Sequence, residues 1–450
     1  MEVQKDIRKR ELNPAQVLVL GFAGIILFGA LLLNLPIATQ SGQSVGFVNA
    51  IFTATSAVCV TGLVVVDTGT YWSVFGKVVI LMLIQIGGLG FMTMATSAAF
   101  VLGRRISLRG RLIMQEALNQ FSLSGVVRLT KYILYTTFAI EGIGALILTF
   151  RFAETYELPK AIFYGIFHSI SAFSNAGFDL IGNGQSLTPF AEDPVINFVI
   201  MGLIIIGGIG FTVILDVVQN RRYKKFSLHT KFVLLITAIL LVGGFFLVLL
   251  FEWNNPNTIG NMGFGGKVLG SMFHSVTPRT AGFNTLPMDQ LTTPTKFLTI
   301  ILMFIGGSPG STAGGIKTAT FGLVILTIMS VITGKEDVEF SYRRLSTVTI
   351  NRALAVMSIG LFIVILITLV LSYTEVGQDF MDIFFESVSA FATVGLSLGI
   401  SSQLTVMGKI IISITMFFGR VGPLTIVVAL AQRDTKKPLI RYPKGRIMVG

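Results

Sequence analysis

The chain has 450 residues, of which 52% are hydrophobic and only 12% charged, with 34 Lys and Arg against 22 Asp and Glu. A soluble domain carries about twice that charged fraction, so a soluble enzyme is excluded and an integral membrane protein is expected. One Cys and three His leave no internal disulfide, Cys-rich metal site or large His cluster, and basic residues confined to short loops between apolar runs argue against nucleic acid.

Residues 1–14 are charged, and the apolar run after them is long enough to span rather than to act as a cleaved signal. Apolar runs near 15–35, 74–102, 128–151, 194–219, 230–251, 295–333, 346–372 and 406–431 give eight candidate spans. The sixth is too long and too Gly-rich for one helix. Between alternate spans lie apolar pieces near 46–60, 159–173, 265–277 and 379–391. Each is too short to cross, which predicts re-entrant half-helices buried in protein.

If the spans alternate, 25 of the 34 Lys and Arg fall on one side. They lie in 1–14, 104–131, 221–231, 335–352 and 433–446. The positive-inside rule then predicts a multi-pass protein of the cell membrane with both termini cytoplasmic. The opposite side carries Asp67, Asp179, Glu192, Asp193 and Asp289 among other acids, an arrangement that draws cations to a mouth there.

The re-entrant pieces repeat. AIFTATSAVCVTGL (50–63), GIFHSISAFSNAGF (165–178) and IFFESVSAFATVGL (383–396) each place a Phe ten residues before a Gly; MFHSVTPRTAGF (272–283) is one residue shorter. About 24 to 30 residues after each Gly comes a second motif: IGGLGF (86–91), IGGIGF (206–211), IGGSPG (305–310) and FGRVGP (418–423). The predicted fold is therefore an all-α polytopic membrane protein. It has four parallel helix–pore-loop–helix repeats around a central pore, with pseudo-fourfold symmetry. The repeats are placed at 15–112, 113–228, 229–345 and 346–432, between the N-terminal 1–14 and a C-terminal tail at 433–450, both expected to be cytoplasmic.

The half-helices end in Val60-Thr61-Gly62, Asn175-Ala176-Gly177, Thr280-Ala281-Gly282 and Thr393-Val394-Gly395. None of these residues is charged, so backbone carbonyls are the polar atoms common to all copies. Gly permits backbone angles that let successive carbonyls face one way. Four such strands would ring a dehydrated monovalent cation with oxygens. The half-helices would aim their negative C-terminal ends at it. A divalent site would more readily use carboxylates.

Gly306-Gly307-Ser308-Pro309-Gly310-Ser311-Thr312-Ala313-Gly314-Gly315 predicts an unwound segment of low local stability, suited to a gate below this filter. Arg420 replaces the second Gly of its motif. A charge within a span marks a functional site, here a barrier to cations that can also bond the loop's carbonyls; the alternative is a packing salt bridge to Glu141 or Asp216. Lys317 is expected to snorkel to the cytoplasmic interface, and Arg279 to tie down the outer shell of the filter through an acidic neighbour. Glu386, aligned with His168 and His274, is expected to make scaffold hydrogen bonds.

The fourfold unit, the four glycines, the Gly306–Gly315 segment and the lone Arg in the last span resemble the Trk/Ktr/HKT superfamily of K+ transporters. The resemblance covers nearly the whole chain, and the length fits its KtrB-type branch. It implies K+ uptake, with Na+ as a frequent activator, and a homodimer with one pore per protomer. It also implies a separate KtrA-like RCK ring that binds nucleotide in the cytoplasm, and it gives the gate role to Gly306–Gly315 and Arg420. Plant relatives that prefer Na+ tend to carry Ser where this chain has Gly62. Walker A and HExxH sequences are missing, so no cofactor is expected in this chain; a regulatory nucleotide would sit on the partner, against basic loops at 103–112, 220–231 and 334–344. A Na+-coupled or Na+-conducting relative, and an alternating-access solute symporter, are the competing readings. An intramembrane enzyme would need paired catalytic groups, and none is seen.

Overall fold

The structure is a computed structural model that describes residues 14–90, 93, 108–117 and 126–422. The charged N-terminus, most of 91–107, the remainder of the last span and the basic tail at 433–450 lie outside the described residues.

Among the described residues, four helices are long and apolar enough to cross a bilayer: Pro14–Leu33, Val126–Phe152, Leu228–Glu252 and Thr347–Thr374. At about 1.5 Å per residue, each matches or exceeds a hydrocarbon core of roughly 30 Å. A half-helix follows each one: Phe47–Val58, Leu158–Phe173, Phe264–Val276 and Phe380–Ala392. A second helix completes each unit: Val74–Leu89, Pro194–Ile209, Thr293–Phe304 and Val406–Val421. The only strands among the described residues are the two-residue pair Glu339–Phe340 and Arg343–Arg344.

Burial is inverted relative to a soluble protein. Phe28, Phe150, Leu250 and Leu369 face outward at 62%, 75%, 69% and 65% exposure, whereas Ser56, His168, Ser171, Glu386 and Ser389 are fully buried. A continuous apolar exterior around a polar centre is the arrangement lipid demands.

In each unit, polar contacts fasten the end of the first helix, or the loop after it, to the start of the second. Ser73 donates through Oγ to Ile37 O at 2.6 Å. Arg151 Nε donates to Asp193 Oδ2 at 2.6 Å, and Asp193 also caps the second helix. Glu252 accepts from Thr292 N and Oγ1, and Glu375 from Thr405 N and Oγ1. Each long helix and the half-helix after it are thus closed into one unit.

The sequence reading broke only the third unit's second helix, but in the structure all four second helices stop within the predicted apolar run. Val74–Leu89, Pro194–Ile209 and Val406–Val421 end at Gly90, Gly210 and Gly422, whose φ values of +79°, +104° and +92° no helix can continue. Beyond Gly210 the chain turns by 98° into Phe211–Asn220. In the third unit the interruption is a whole loop, from Ile305 to Lys317. The glycine at the fifth position of the first, second and fourth motifs marks this break; the third motif has Pro309 there.

The first glycine of the first, second and fourth motifs serves packing. A Cβ on Gly87, Gly207 or Gly419 would overlap the carbonyl oxygen of Val58, Phe173 or Phe391, the final turn of the same unit's half-helix. Backbone cannot rotate aside. Gly419→Ala is therefore expected to cost about 1–3 kcal/mol, read as a lowered thermal midpoint in detergent.

Candidate functional site

The four half-helices bring their C-terminal segments to one centre. Hydrogen bonding behind each segment fixes which way its peptides face. The N–H groups of Thr61, Ala176, Ala281 and Val394 donate back to the carbonyls of Ser56, Ser171, Thr277 and Ser389, at 2.8, 2.8, 3.0 and 2.9 Å. In a trans peptide the carbonyl opposes the N–H, so the oxygens of Val60, Asn175, Thr280 and Thr393 point away from the half-helices. The N–H groups of Gly62 and Gly395 donate to Ser56 Oγ and Ser389 Oγ at 3.0 and 3.1 Å, which turns the Thr61 and Val394 carbonyls the same way. In the other two units the aligned hydroxyl anchors the residue after the glycine instead: Ser171 Oγ donates to Phe178 O at 2.7 Å and Thr277 Oγ1 to Phe283 O at 2.5 Å.

The backbone alternates in register. Val60, Asn175, Thr280 and Thr393 have φ of +50°, +58°, +64° and +52°, and Gly62, Gly177, Gly282 and Gly395 have +92°, +69°, +76° and +92°. Three of the four non-glycine positions are β-branched, for which positive φ costs roughly 1–3 kcal/mol each. That strain is held by the hydrogen bonds behind it. The sequence reading did not anticipate these strained positions, nor the hydroxyls of Ser56, Ser171, Thr277 and Ser389. The recurring hydroxyl was visible in the aligned copies; the strain was not.

The segments close a ring. A Cβ built on Gly62 would lie 2.5 Å from Ala176 O, one on Gly177 2.8 Å from Ala281 O, and one on Gly282 2.7 Å from Val394 O. One on Gly395 would overlap Thr61 O and lie 2.9 Å from Gly62 Cα. Each unit's carbonyl therefore abuts the preceding unit's glycine, and the fourth returns to the first. The non-glycine residues of all four segments are fully buried.

Behind the ring, His168 Nδ1 faces Tyr164 O and Nε2 accepts from Leu180 N, while His274 Nε2 meets Thr299 Oγ1. Glu386 accepts from Ser397 and Ser401. These are the scaffold contacts expected at the three aligned positions. Beyond the ring, Asp67 accepts from Thr70 N and from Gly184 N, joining the first two units. Burial pushes the Asp179 carboxyl up to about 6, while the backbone N–H of Ile181 holds its charged form.

The Ile305–Lys317 loop lies against the ring: a Cβ on Gly306 would lie 3.3 Å from Thr280 Cγ2, and one on Gly314 would overlap Thr393 Oγ1. Gly306 N donates to Ile316 O and Thr318 N to Gly307 O, which closes the loop's base. Ser308 N donates to Gly208 O at 2.9 Å, Phe211 N to Gly310 O at 2.9 Å, and Thr312 Oγ1 to Gly207 O at 3.0 Å, so the loop is pinned to the break in the second unit. Ser311 Oγ returns to Ser308 O. Pro309 has no N–H to offer, and the two glycines at 314 and 315 pass beside Thr393 and Ala392.

Arg420 donates to Thr312 O in this loop and to Gly87 O and Gly88 O of the first unit. It makes no salt bridge among the described residues. Glu141 instead accepts from Gln85, and Asp216 from Asn220 and Ser227 N. Lys317 does not snorkel outward but folds back to donate to Ala313 O at 2.6 Å, because that carbonyl lies within reach of its own turn. Arg279 has no acidic neighbour among the described residues, and its carbonyl accepts from Asn175 Nδ2 at 3.3 Å.

Four helix–half-helix–helix units that meet at a ring of uncharged, buried segments define a polytopic membrane protein built around one centre. Residues 22–437 match the family model of TrkH, cation transport protein, and the chain belongs to that family. It is 45% identical to the Ktr system potassium uptake protein B of Bacillus subtilis, over the full length of both chains. It is 40% identical to the potassium/sodium uptake protein NtpJ of Enterococcus hirae, over 100% of this chain and 99% of that one. The crystal structure of the potassium transporter TrkH from Vibrio parahaemolyticus shares the fold, with a TM-score of 0.73 at 19% identity over 95% of this chain and 87% of that one.

Proposed function

We propose that this chain is the K+-translocating subunit of a bacterial K+ uptake system. Val60–Gly62, Asn175–Gly177, Thr280–Gly282 and Thr393–Gly395 form its selectivity filter, and Gly306–Gly315 with Arg420 form the gate below it. The observation that carries this reading is the closed ring of uncharged segments, whose backbone N–H groups bond back to the half-helices and leave carbonyls facing away from them. Such a ring replaces the hydration shell of a monovalent cation without a fixed negative charge. Asp67 and Asp179 then belong to the outer mouth and raise the local cation concentration. The repeats divide at 15–112, 113–228, 229–345 and 346–432, with both termini cytoplasmic.

Arg420 acts in two ways. Its charge repels a cation leaving the filter, and its fork holds the loop closed through Thr312 O. The loop leads directly into Thr318–Ile332 and the hairpin at Glu339–Arg344, so a cytoplasmic partner bound there can pull on it. A KtrA-like RCK ring that binds nucleotide, acting on a homodimer, is the partner this reading takes. The Ktr system names of the relatives support a multi-subunit assembly.

Rb+ flux into proteoliposomes tests translocation. Selectivity is tested by Gly62→Ser, which adds a side chain at φ +92° and 2.5 Å from Ala176 O. We expect K+ over Na+ discrimination to fall at least severalfold, measured as competition of Na+ against Rb+ uptake. Unchanged discrimination would remove Gly62 from the filter. A Na+-conducting or Na+-coupled variant of the same pathway is the second reading, favoured by the potassium/sodium name of the Enterococcus hirae relative.

A further inference from the structure

The residue three positions before the filter glycine is Cys59, Ser174 or Ala392 in three units; in the third unit it is Arg279. Arg279 is only 6% exposed. Its guanidinium has no hydrogen-bond or ion-pair partner among the described residues, and Nη1 is a buried orphan. It lines a narrow crevice with Gly208 and Ile205 of the second unit, Thr237 and Leu241 of the third unit's first helix, and Gly307 of the loop. The Thr237 hydroxyl is a second buried orphan on the same wall. Arg420 is also deeply placed, but its donors are used on three backbone carbonyls. Arginine does not give up its proton in a protein. A buried, unpaired positive charge is strongly unfavourable, so a counter-charge belongs in this crevice.

We propose that the crevice between the second and third units is an anion site, and that its ligand is a halide ion, chloride under cellular conditions. The side-chain donors among the lining residues are one guanidinium and one hydroxyl. The rest of the wall is aliphatic side chain and glycine backbone. A phosphate or sulfate would bring more charge and more acceptors than these donors satisfy. A monovalent, monoatomic anion neutralises one guanidinium, costs less to dehydrate and can approach closely over Gly208 and Gly307. Bound there, it cancels a positive charge three residues from Gly282. Cation loading of the ring should then rise with halide concentration.

The test is anomalous diffraction from the full-length protein crystallised in bromide. We expect a bromide peak between Arg279 and Thr237, weakened by Thr237→Val and lost in Arg279→Gln. A wild-type map with no anomalous peak there, or with water only, overturns the proposal. In proteoliposomes, replacing chloride by gluconate should lower Rb+ uptake severalfold in the wild type and leave Arg279→Gln unaffected. Equal wild-type uptake in the two salts also overturns it. The bromide peak is independent of transport, so a protein that carries no Rb+ would sink the K+ reading without touching the anion site.

Discussion

Gly395→Ala is expected to reduce Rb+ uptake to background while the protein still reaches the membrane. The new methyl would overlap Thr61 O and stand 2.9 Å from Gly62 Cα, both backbone atoms of the neighbouring unit. Neither can move without opening the ring. The φ of +92° adds strain that only glycine escapes. Gly399→Ala separates the two effects: its φ is +105°, yet nothing lies within 4 Å of the added carbon. That variant should lose some stability and keep its transport. A Gly395→Ala protein that transports as fast as the wild type would mean that the ring is not the path.

Arg420→Ala should act in the opposite direction and raise uptake. Charge-assisted hydrogen bonds contribute roughly 1.5–3 kcal/mol each, so the loss of even one shifts a closed–open balance by about tenfold. Arg420 makes such bonds to the loop at Thr312 and to the first unit at Gly87 and Gly88. Arg420→Lys keeps the charge and loses the fork. Uptake by the Lys variant near the wild-type level would assign the barrier to charge alone, and uptake near that of the Ala variant would assign it to the latch. Unchanged or slower uptake by a well-expressed Arg420→Ala protein would end the barrier role.

Much of the architecture was readable from periodicity and spacing. The half-helices begin and end within two residues of the short apolar pieces, because their lengths and Gly ends are local properties. The glycines at 62, 177, 282 and 395 fall on one ring because the repeats place them in register. What escaped the sequence were features set by contact between units. The interruption at Gly90, Gly210 and Gly422 looks the same in sequence as the packing glycines three residues earlier. The inward folding of Lys317 depends on where Ala313 O comes to lie. The left-handed backbone at Val60 runs against its own side chain's preference, and only the surrounding hydrogen bonds impose it.

The joint found in every unit carries a mechanical consequence. In three units the second helix stops at a glycine of positive φ, and in the third it stops at a loop that reaches across to the second unit. If the proposed gate is this loop, opening would take a single stroke, without the concerted rearrangement that four equivalent flaps would need. Its on–off response should be graded by the pull on one lever rather than by agreement among four.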